Sequence, residues 1–142
     1  MRLYECDFRN THIALLAAGC IWLMSLVPAG AEDSTIQSIV ERISTEASKL
    51  SEAARGAHPA VDDVANKALS LNTTMATLDP AIEREPDEAS SHADALRRLA
   101  ADEINLGLAI TSLSDADAGT AKDLIANMAA IADDIKDDAS AY

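Results

Sequence analysis

From Glu32 onward the chain contains no cysteine and, Tyr142 apart, no Phe, Tyr or Trp. Cys6, Cys20, Tyr4, Phe8 and Trp22 all fall within the first 31 positions. The missing cysteines exclude disulfides, thiolate metal ligands and a cysteine nucleophile, and with them the staples on which small exported domains often depend. Stability must then come from helix packing alone. No G-x-S-x-G, S-x-x-K or C-x-x-C-H occurs, so neither a hydrolase nucleophile nor a c-type haem is expected. Runs of β-branched residues are missing too, which argues against strands. Positive charge is scarce: from Glu32 on, 22 acidic residues face nine Lys and Arg, a formal charge of −13. Such a surface repels phosphate backbones and anionic lipid, so no nucleic-acid partner is expected.

The opening segment is uncharged over residues 13–27. Fifteen apolar residues are short for a membrane span, which takes about 20. Pro28 then breaks the run, and Ala29-Gly30-Ala31 has the small-x-small pattern of a signal-peptidase site. The expectation is a signal peptide over 1–31, cleaved after Ala31, and one domain over 32–142. Arg2 and Arg9 are balanced by Glu5 and Asp7, which eukaryotic signals tolerate better than bacterial ones. An uncleaved signal anchor is the other reading. Ala17-Ala18-Gly19-Cys20 looks like a lipoprotein box, but residues 21–27 stay apolar where a lipoprotein would turn polar. The protein is expected to be secreted (extracellular or cell wall, periplasmic if bacterial), with no stable membrane span after cleavage.

The remainder reads as all-α. Ile36, Val40, Ile43, Ala47, Leu50 and Ala54 recur every three or four residues, the stripe of a helix over about 34–55. Gly56 ends it. His58 is the expected cap of a second helix over 59–78, with Pro59 in its first turn and Val61, Val64, Ala68, Leu71, Met75 and Leu78 as its stripe. Asp79-Pro80 stops it, and 79–87 reads as a charged linker with two prolines. A third helix is expected over 87–113. The fourth, over 120–138, opens at Thr120 and Asp123, spaced as a capping box, and carries Leu124, Met128, Ile131 and Ile135. Four such helices with short connections predict an up-down-up-down four-helix bundle.

The third helix is the unusual one. Ala93, Leu96, Leu99, Ala100, Ile104, Leu106, Gly107, Leu108, Ile110 and Leu113 sweep about 220°, wider than a surface helix needs. Either this helix is central, or its Ile104/Leu108 edge is exposed and adhesive, and self-association through it is an option. Glu103 inside the arc either pairs with Lys67 or reaches solvent, the second being preferred.

Sites for chemistry are few. His58 and His92 belong to opposite ends of such a bundle, so one metal or haem iron cannot take both. Each has an acid four residues away, Asp62 and Glu88, which reads as a cap and a solvated pair. The Glu-x-x-His pairs of di-iron bundles are missing. No catalytic residue, metal ligand or cofactor is therefore expected, and no enzymatic activity. Acids do crowd one end of the expected bundle, among them Asp79, Glu83, Glu85, Asp87 and Glu88 with Asp133, Asp134, Asp137 and Asp138. Lacking the alternating oxygens and glycine of a calcium loop, they read as a fraying, solubilising end. Asn72-Thr73-Thr74 is an N-glycosylation sequon, meaningful only on a eukaryotic route.

Residues 101–135, above all Leu113-Ser114-Asp115-Ala116-Asp117 opening a helix with Leu124, Ile125, Ile131 and Ile135, resemble the fungal hydrophobic surface-binding proteins, also described as cell-wall galactomannoproteins. The resemblance covers about a third of the chain, and this chain is shorter and more acidic than that family. It implies a secreted, non-enzymatic protein that adsorbs to hydrophobic surfaces or the cell wall. The leading expectation is therefore an amphipathic helical protein binding a hydrophobic surface, cell wall or protein partner. The alternative is a periplasmic or extracellular bundle holding a divalent cation or small ligand at its acidic end.

Overall fold

A computed structural model describes residues 35–142, so the expected signal peptide lies outside the described residues. Those residues form helices and no strand: α1 (Ile36–Ala54), α2 (Val61–Met75), α3 (Leu78–Arg84), α4 (Pro86–Ser91), α5 (Ala93–Ser114) and α6 (Ala118–Ser140). The protein is all-α.

The first helix follows its sequence pattern closely. Thr35 caps α1, its hydroxyl accepting the Ser38 amide at 3.2 Å, and Ile36, Val40, Ile43, Ala47, Leu50 and Ala54 are all buried. A carboxylate from a distant segment also serves this end, where the Ile36 amide donates to Glu85 Oε2 at 3.3 Å. That places negative charge where the helix dipole is positive.

The prolines act differently from expectation. The second helix begins at Val61 after Ala60 with no side-chain cap, so His58 caps nothing and Pro59 precedes the helix. Val61, expected in the core, is exposed at this end. Asp79-Pro80 does not open a linker: Pro80 lies in the first turn of α3 and Pro86 begins α4. A first-turn proline gives up an amide that has no helical partner anyway. Leu78, Ala81 and Ala89 use these two short helices to reach the core.

The third predicted helix divides at His92, which leaves helical geometry with φ −117° and ψ 23°. The His92 ring lies against Tyr142 with centroids 4.2 Å apart, and Tyr142 donates to Glu88 Oε1 at 3.0 Å. The last residue is thus fastened to the α4–α5 junction. The fourth helix is capped by Asp117, whose carboxylate accepts the Thr120 amide at 2.8 Å, rather than by a Thr120/Asp123 box. That hydrogen bond holds the Asp117 carboxyl below the usual range.

The helix also persists beyond the expected fraying point. Ala139 is buried and Tyr142 packs against the core, so the acidic end of this helix is anchored. Asp133 and Asp138 explain the difference, because each finds a cation on another helix. Arg55 pairs with Asp133, and Arg98 Nε donates to Asp138 Oδ1 at 2.6 Å.

Around the core, α1 packs on α6, α6 on α5, α5 on α2 and α2 on α1. The core is built from Ile, Leu and Met alternating with alanines, among them Ala47, Ala68, Ala81 and Ala132 with no exposed surface. Gly107 sits in α5 where α2 passes, yet a Cβ there would meet only Asn72 Oδ1, at an ordinary 3.7 Å. Gly107→Ala should therefore raise stability by about 0.5–1 kcal/mol by relieving the entropic cost of a mid-helix glycine. Chemical denaturation of the two proteins checks this, the midpoint moving up at constant m-value.

Candidate functional site

The wide apolar arc of α5 resolves in favour of an exposed edge. Leu96, Leu99, Leu106 and Leu113 are buried together with Ala95 and Ala109, while Ile104 and Leu108 are 66% and 64% exposed. Ala93 and Ala100 face solvent as well. The burial stripe is thus rotated towards Ala95 and Ala109, the side that meets α6, and α5 is not a central helix.

A second helix adds to this edge. Leu69 of α2 is 55% exposed, although its neighbours Ala68 and Leu71 are buried. Asn72 and Gly107 mark where α2 and α5 approach. With 3.6 residues per turn, Leu69 stands roughly 60° beyond Asn72 on the side away from the α2 core stripe, and Ile104 roughly 60° beyond Gly107 in the same sense. Leu69, Ile104 and Leu108 therefore flank one seam on its solvent side.

Charge avoids this seam. Residues 68–78 of the α2 segment and 104–114 of α5 are eleven residues each without an ionisable side chain, in a chain of net charge −13. Thr73, Asn105 and Thr111 supply neutral polar surface around the three large apolar side chains. Glu103, just outside the window, is half-buried; desolvation, with Asp79 adding, holds its carboxyl above the usual range. It keeps part of its surface in solvent and is not paired with Lys67, which bonds Asp63 on its own helix.

The sequon lies within this seam. Asn72 is mid-helix and half-buried, with its amide oxygen enclosed and unbonded. The Thr74 hydroxyl is buried and donates to Glu46 Oε2 of α1 at 2.9 Å. The folded chain does not present this triplet on an exposed loop.

The crowded acids have separate tasks. Glu85 receives the α1 amide and Glu88 receives Tyr142, so the 79–88 segment, the start of α1 and the last residue do meet. Asp133, however, turns to α1, where Ser51 Oγ donates to it at 2.8 Å. That bond and Arg55 lower its carboxyl below the usual range. Asp134, Asp137 and Asp138 turn instead to a groove of about 330 Å³ beside α5, shared with Arg98 and Asp102. A second groove, of about 420 Å³, lies between α1 and the end of α6 and is lined by Gln37, Val40, Glu41 and Tyr142 among others. Among the described residues no three His, Asp or Glu side chains are arranged to hold a metal ion, and no helix is long and apolar enough to cross a membrane. The exposure of Leu69 was the feature that sequence reasoning missed; its position off the α2 stripe was the available signal.

The chain matches no family model, no curated protein and no solved structure.

Proposed function

We propose that this protein is a secreted, non-enzymatic up-down-up-down four-helix bundle that adsorbs through the α2–α5 seam to a neutral apolar surface, such as a cell-wall or partner surface. The closed ring of neighbours α1–α6–α5–α2 supports the bundle topology. One observation carries the function: three large apolar side chains, Leu69, Ile104 and Leu108, stand exposed where two eleven-residue segments without an ionisable side chain meet. Scattered exposed leucines need no explanation, but clustered ones on an otherwise acidic surface mark a contact site. Each large side chain fully withdrawn from water on contact contributes about 1.5–3 kcal/mol, enough for reversible adsorption by three of them. The resemblance of residues 101–135 to the fungal hydrophobic surface-binding proteins points the same way.

Depletion of the protein from solution by octyl-coated beads tests this. Adsorption should exceed that of an equally acidic helical control, and raising salt from 0.05 to about 0.5 M should maintain or strengthen it, because screening reduces repulsion between −13 chains without touching apolar contact. Adsorption equal to the control, or abolished by salt, would remove this reading.

A further inference from the structure

The groove between α5 and α6 contains an acid facing an acid. Asp102 of α5 and Asp138 of α6 are close enough to hydrogen-bond once one of them carries a proton, yet two carboxylates have no donor between them. Asp102 Oδ2 is enclosed and without a hydrogen-bond partner. Arg98 Nε donates to Asp138 Oδ1 at 2.6 Å and leaves Asp102 Oδ2 without a hydrogen bond. From α6, Asp138 and Asp134 act on Asp102 and Asp137 lines the same groove; from its own helix, Arg98 acts on it. The other helices packed on α5, which are α2 and α4, turn no charged group towards it among the described residues.

We propose that Asp102 and Asp138 form a proton-sharing carboxyl pair that fastens α5 to α6 in mildly acidic surroundings and loosens them as the pH rises towards neutrality. One proton supplies the missing donor, satisfies the enclosed oxygen and removes one of four crowded negative charges. Burial, with Asp138 and Asp134 adding, accordingly pushes the Asp102 carboxyl from 3.8 up to about 6. A group that binds its proton more tightly when folded contributes stability fully present below its unfolded value, here 3.8, and lost as pH rises through about 6. Asp117 and Asp133 work in the opposite sense, but their contributions are lost only as pH falls below the usual carboxylate range. Glu103, also held above the usual range, acts in the same sense as Asp102 between about pH 5 and 7.5 and is common to the native protein and an Asp102 variant, so their difference reports Asp102.

Thermal melts of the whole chain across that interval test the proposal. The native protein should melt about 3–6 °C higher at pH 5 than at pH 7.5, a range reduced for the partial exposure of the pair. Asp102→Asn should flatten the profile, because its amide donates to Asp138 at every pH. Both histidines are common to the two proteins, so the difference between profiles reports Asp102. An Asp102→Asn variant that keeps the native pH dependence, or a native protein without one, overturns the proposal. Carboxyl-carbon NMR of the native protein decides the matter even if the variant fails to fold. An Asp102 signal titrating near 6 supports the shared proton, and one titrating with the ordinary carboxylates overturns it.

Discussion

Ile43→Ala should lower the stability of the folded chain by about 3 kcal/mol and its melting temperature by roughly 15 °C. Ile43 has no exposed surface and belongs to the α1 stripe at the centre of the shared core. The substitution removes three carbons from a site whose neighbours are anchored on several helices and cannot all collapse inward, so a cavity term adds to the lost transfer energy. Alanine is the better helix former, so α1 itself gains rather than loses propensity. A loss below about 1 kcal/mol by denaturant titration would mean that the core is loose enough to refill the space.

Ala132→Leu should cost about 2 kcal/mol, lowering the melting temperature by roughly 10 °C, for the opposite reason. Leucine and alanine are both strong helix formers, so α6 keeps its helicity and its circular dichroism. Ala132, however, is completely enclosed on the helix that packs against both α1 and α5. With no aromatic residue in the described chain except Tyr142, this core relies on close helix approach across small side chains instead of on bulk. Added methylenes must push helices apart or adopt strained rotamers. A variant that melts higher than the native protein would show unfilled space where the structure has contact.

The first of these effects comes from a feature visible in the sequence, since three-and-four spacing marks which face of α1 is apolar and all six residues read there are buried. For α5 the same logic left open whether the helix was central or carried an exposed apolar edge. Periodicity reports where apolar side chains lie on a helix, not whether a neighbour arrives to cover them, and among the described residues no helix covers Ile104 or Leu108. Leu69 went unnoticed because a single apolar residue off a stripe carries little weight until α5 is seen beside it. Pro80 and Pro86 read as a linker because proline breaks helix interiors, yet both stand in first turns, where it is harmless.

Long-range polar partners were the least legible. Arg55 lies 78 residues from Asp133 and Arg98 lies 40 from Asp138, and only the packed helices bring them together. Without those partners the final turns of α6 read as mutually repelling acids, when two of the four are bonded across helix interfaces.

The central claim is that the uncharged α2–α5 seam is the adhesive surface. The most direct measurement is the adsorption isotherm on octyl-coated beads of Leu69→Gln/Ile104→Gln/Leu108→Gln against the native chain, with helicity and melting temperature recorded for both. All three side chains are more than half exposed, so their replacement should leave the melting temperature within a few degrees. Affinity for the beads should fall at least 100-fold, since full burial of three such side chains is worth upwards of about 4 kcal/mol. A triple variant that folds normally and adsorbs as strongly as the native protein would contradict the account.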